Sequence, residues 1–126
     1  MEYVLIIEEY FSQKQLHAVL TGELDEKTRN EIILEGIQIM RAENIPNVLF
    51  DIRNANVVYS LIGSHSIIEQ IHLYGFQNTD HCAVIYTNNE NQHIHADNVA
   101  FNKNIHIKYF KDNLEEAQEW LLQFDK

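Results

Sequence analysis

Three short apolar runs, Val48 to Phe50, His81 to Thr87 and Ile105 to Phe110, are separated by segments whose apolar residues recur at helical spacing. Strands that alternate with helices are joined by parallel crossovers, and crossovers lay helices on the faces of a sheet. Two further β-rich runs, residues 2 to 9 and 15 to 21, open the chain. In the first, Tyr3, Leu5 and Ile7 alternate with Val4 and Ile6, so both faces are apolar, as in a partly covered strand. The connector, roughly Tyr10 to Lys14, is short enough for antiparallel pairing, and Thr21 and Gly22 end the second run. The expected fold is α/β: a mixed five-stranded sheet with four helices, in the order β-β-α-β-α-β-α-β-α.

The helices are bounded by recognisable caps. Asp25 is the expected N-cap of the first, with Glu26 in its first turn and Ile33, Ile37 and Met40 on its stripe. Asn44 suits a left-handed stop, and Pro46 prevents continuation. The second helix covers roughly 61 to 74. Ser60 could cap it early, whereas Ser66 with Glu69 forms a capping-box pair that argues for a later start, and Gly75 ends it. Asn88 or Asn89 begins a third, weaker helix that runs to near Asn104. Asp112 with Glu115, or Asn113 with Glu116, caps the last one, where Leu114, Ala117, Leu121 and Phe124 share a stripe with Trp120 at its edge.

A chain of 126 residues fits one domain, 1–126, and is long enough to bury a real core. No apolar run approaches the roughly 20 residues of a membrane span. The first ten residues, MEYVLIIEEY, are acidic where a signal peptide is basic, so a cytoplasmic location is expected. The net charge of −10 repels phosphate backbones and anionic membranes, and the nine Lys and Arg are scattered; neither nucleic acid nor stable membrane association is expected. Cys82 is the single cysteine, and its apolar neighbours suggest a buried, inert thiol.

Three segments together carry a family resemblance: GELDEKT leading into the first helix, VLFDIRN ending a strand, and IHIKYFKDNLEEAQEWL at the close. Their order and spacing resemble the STAS superfamily, which includes anti-sigma-factor antagonists and the tails of sulfate transporters. The closing segment is most similar to the small stand-alone SpoIIAA-like branch, through Phe110, Asp112, Glu116, Ala117, Trp120 and Leu121. The resemblance implies a non-enzymatic regulatory or binding domain. In anti-sigma-factor antagonists it also implies a phosphorylated Ser in an Asp-Ser-Ser-Gly turn before the second helix, where added charge breaks a complex. Here that turn falls on Tyr59, Ser60, Leu61 and Ile62. The usual acceptor position is Leu61, and Gly63 comes one residue late. Ser60 is therefore the candidate phosphoacceptor, with Ser64 behind it.

In open α/β sheets, loops at the carboxyl ends of strands surround the usual ligand crevice. Asp51, Arg53 and Asn54 are read as leaving such a strand end, and Ser60 as approaching a helix N-terminus. With Tyr59 and Ser64 they form the candidate face for a protein partner or a small apolar or anionic ligand. The same residues also suit an ordinary strand-to-helix connection. A second reading places a lipid-like ligand in a cavity under the second and third helices, since the aromatic residues are numerous.

Other chemistry finds little support. His93 and His95 are two apart, which on a helix turns them away from one another, and no zinc-like spacing is present, so no metal and no cofactor is expected. Gly63-Ser64-His65-Ser66-Ile67 is not a nucleophile elbow, and it lacks a phosphate-cradling glycine pattern, so no enzyme is expected. An edge strand with an apolar face is easily shared, which adds a homodimer to the expected partners.

Overall fold

Phe11 and Ser12 both adopt positive φ, 48° and 71°, and this tight turn folds β1 (Glu2–Tyr10) back on β2 (Gln13–Leu24) as an antiparallel hairpin. The computed structural model describes residues 1–124. Asp25 accepts a hydrogen bond from the Thr28 amide at 2.7 Å and starts α1 (Glu26–Glu43), which Asn44 closes at φ 57°. The chain continues through β3 (Asn47–Val57), α2 (Leu61–Gln70), a single 3-10 turn (Ile71–Tyr74), β4 (His81–Tyr86), α3 (Glu90–Asn102), β5 (Ile107–Lys111) and α4 (Leu114–Leu122). Five strands and four α-helices form the mixed α/β architecture expected from the sequence.

The strand order is β1-β2-β3-β4-β5, with every pair after the first hairpin parallel. Each crossover moves one place in the same direction. Right-handed crossovers therefore stack α1, α2 and α3 on one face, and only α4 returns over the other. The larger core lies under the three helices and includes Leu16, Leu20, Ile32, Met40, Ile68 and Val84. The smaller one joins Leu49, Ala83, Ile85 and Phe110 to Ala117 and Leu121 of α4. β1 is the outer strand and mostly exposed; Leu5 packs on the larger core, while Val4 is 54% exposed. Among the described residues, no helix is long and apolar enough to cross a membrane.

Several boundaries differ from the sequence reading. β2 passes Gly22 and β3 passes Asp51 because residues 21–24 and 54–57 pair with one another. Cross-strand pairing there overrides the low strand propensity of the Asn-rich run. A bulge after Val19 and Asp51 absorbs one additional residue on β3. α2 starts at the early cap: Ser60 Oγ accepts from the Gly63 amide at 3.2 Å. Glu69 does not close a capping box with Ser66 but lies 3.1 Å from His65 and 3.2 Å from Lys103. Asn89 precedes α3 at φ 62° with no side-chain cap, α3 stops at Asn102 short of Asn104, and Asn113 caps α4 through the Glu116 amide.

Candidate functional site

Asp51 sits in the middle of β3, paired with Val19 on one side and Ile85 on the other, and not at a strand end as its neighbours suggest. Side chains two apart along a strand share a face, so Asp51 follows Leu49 onto the α4 side. Its carboxylate is taken up by its own strand. Arg53 Nε donates to Oδ1 at 2.9 Å, Arg53 Nη2 to Oδ2 at 2.7 Å, and the Arg53 amide to Oδ1 at 3.1 Å. These bonds raise the Arg53 pKa further above its ordinary value. Asn54 is exposed and, past the bulge, is paired with Thr21.

Tyr59 and Ser64 lie on the opposite side of the sheet, beneath the helices. Ser60 is exposed and serves as the cap of α2. Ser64 is buried, and its Oγ accepts from Gln92 Nε2 at 2.6 Å. The same Gln92 nitrogen donates to the Tyr59 and Ser60 carbonyls, tying α3 to the start of α2. Five of the six residues of the candidate face are thus divided between two faces of one sheet, and Ser60 lies exposed at the start of α2. Asp51, Arg53 and Asn54 form one group, and Tyr59 and Ser64 belong to another.

The second group borders a cavity. It lies between the sheet and α1 and α2, rather than under α2 and α3, with a free volume of about 80 Å³. Its walls are almost wholly apolar: Leu16, Ile37, Met40, Phe50, Ile67 and Val84 are representative. Phe50 and Cys82 lie on the inner strands β3 and β4 and still keep accessible surface, because that surface opens into the void. Burial pushes the Cys82 thiol up to about 12, with Asp80 adding to the effect, so it is an unreactive wall. Burial likewise raises the pKa of Tyr59 and of Tyr109, which line the same cavity.

One charged side chain, Arg29 of α1, lines this cavity among the described residues. It is 3% exposed. Nη1 donates to the Gly63 carbonyl at 3.2 Å, while Nε and Nη2 donate to Asn30 Oδ1 at 3.1 and 2.8 Å. The guanidinium carbon lies 4.4 Å from the centre of the Tyr59 ring, a cation–π contact. Among the described residues no carboxylate reaches ion-pair distance of it. A buried ion without a counter-ion costs several kcal/mol. The sequence carried a signal for Arg29 that was missed. It stands three residues before Ile32 and seven before Gly36, in line with the buried stripe of α1, where a charge is out of place.

Among the described residues, no group of three or more His, Cys, Asp or Glu is placed to hold a metal ion. His93 is buried with its ring 4.6 Å from that of Tyr86 and 5.5 Å from that of Tyr109, and its Nε2 has no hydrogen-bond partner among the described residues. His95 is half-buried on the same helix, 5.5 Å from the ring of His65.

The α/β sheet with three helices on one face and one on the other is a SpoIIAA-like fold. A solved structure with that fold, an uncharacterized protein from the DUF3478 family of Shewanella loihica PV-4, matches with a TM-score of 0.59 over 94% of this chain and 93% of that chain. The two share 19% of their residues, so the likeness is one of fold. No protein-family model and no curated protein matches the sequence.

Proposed function

We propose that this chain is a non-enzymatic binding domain that holds a small apolar molecule in the cavity beneath α1 and α2. The observation that carries this reading is the void itself. Protein cores pack as densely as organic crystals, so an apolar recess of about 80 Å³ among core side chains offers dispersion contacts that a ligand of matching shape can make. Such a ligand stabilises the fold by binding. The Asp51 side offers less to a small ligand, because Asp51 and Arg53 satisfy each other.

Native mass spectrometry of the purified full chain tests the reading. An apolar adduct that is removed by mild activation, or bound from a supplied panel of small hydrocarbons and alcohols, is the expected result. A bare mass under both conditions, with no thermal shift from any member of the panel, would remove it.

A further inference from the structure

We infer that the ligand of this cavity carries a carboxylate, and that Arg29 receives it. The inference rests on the binding function proposed above and specifies the chemistry of its ligand. A guanidinium has five N–H groups in a planar fork. Arg29 donates from Nε, from Nη1 once and from Nη2 once, which leaves one N–H on each terminal nitrogen, with the neutral Tyr59 hydroxyl as a further hydrogen-bond partner beside them. Asn30 and Gly63, which accept the other three, are neutral, so hydrogen bonding does not cancel the charge. The acid one turn back on the same helix is Glu26. Its carboxylate packs against Gly63, 2.9 Å from where a Cβ would be, and is not within ion-pair distance of Arg29.

The surroundings favour a compact monoanion. Among the described residues no second Lys or Arg lines the walls to balance a phosphate dianion. The Tyr59 ring lies against the guanidinium, its centre 4.4 Å from the guanidinium carbon, and Ser64 and Tyr109 supply the remaining polar surface of the lining. Leu16, Ile37, Met40 and Phe50 leave the rest of the space to hydrocarbon. With a free volume of about 80 Å³, the apolar body is short, a few carbons rather than a long acyl chain. A small carboxylic acid with an alkyl tail fits both ends.

The test compares acids with alcohols of equal length by isothermal titration of the full chain at pH 7: butanoate against butan-1-ol, and hexanoate against hexan-1-ol. Each acid is expected to bind about tenfold or more tightly than its alcohol, the effect of a charge-assisted pair in a dry site. Arg29→Gln is expected to remove that advantage and to leave alcohol affinity within about twofold. Equal affinity of acid and alcohol in the wild-type chain overturns the inference and leaves the apolar cavity standing. Binding of neither overturns both. Should Arg29→Gln fail to fold, the wild-type comparison alone decides.

Discussion

Asp51 and Arg53 project from the same face of β3 and grip each other at 2.9 and 2.7 Å, inside a single strand. Asp51 is buried and Arg53 is about one-third exposed, so the pair draws the charge of one residue onto the charge of the next. Removing Arg53 alone strands a buried carboxylate. Removing both leaves an apolar position between Val19 and Ile85. Arg53→Ala is expected to cost about 1–3 kcal/mol in urea unfolding, and Asp51→Ala with Arg53→Ala less than the sum of the singles. The double variant is expected to bind small ligands unchanged, since the sheet separates this pair from the cavity. A loss of such binding would relocate the site to the Asp51 face.

Gly36 stands in the middle of α1, on the cavity wall, with normal helical geometry. A Cβ there would lie 3.7 Å from Leu16 Cδ2, an ordinary contact. Glycine in a helix interior costs about 0.8–1 kcal/mol against alanine. Gly36→Ala is therefore expected to raise the melting temperature by about 2–5 °C and, by occupying cavity space, to weaken ligand binding. Higher stability with unchanged affinity would show that the ligand does not reach this wall.

Acidification acts through His93 and His81, and in the same direction through His17, whose pKa burial also lowers. Burial lowers His93 to about 4, and burial together with neighbouring His106 lowers His81 to about 4. In the unfolded chain both titrate near 6.5. Between pH 6.5 and 4 the unfolded state takes up protons that the fold refuses, so stability falls as pH falls. The slope reaches about 1.4 kcal/mol per pH unit for each group, with His81, the more exposed of the two, contributing less. His93→Phe keeps an aromatic ring between Tyr86 and Tyr109 and removes its share. Urea midpoints at pH 6.5 and pH 5 check this, and an equal drop in variant and wild type would exclude His93 as the source.

Ser60 is exposed and caps α2 through the Gly63 amide. Ser60→Ala is expected to cost about 1 kcal/mol, while Ser60→Asp holds the cap and the helix dipole and costs little. Thermal unfolding of the two variants separates them. Equal losses would mean that the cap contributes through its backbone alone.

The alternation of apolar runs with capped helical segments set the α/β class, the number of strands and the mixed sheet, because these depend on local patterning and short connections. Asp25, Asn44 and Gly75 marked their boundaries through backbone chemistry that acts within a few residues. Other boundaries were not local. β3 extends to Val57 because β2 runs beside it, and Asp51 lies mid-strand for the same reason. Which residues meet was likewise decided by the sheet. The bulge after Asp51 shifts the alternation of β3 by one residue and Tyr59 lies beyond the strand's end, so Asp51 and Tyr59, near in sequence, belong to different layers. Arg29 on α1 and Tyr59 just before α2, thirty positions apart, share one cavity because two successive crossovers of the same hand lay α1 and α2 on the same side of the sheet.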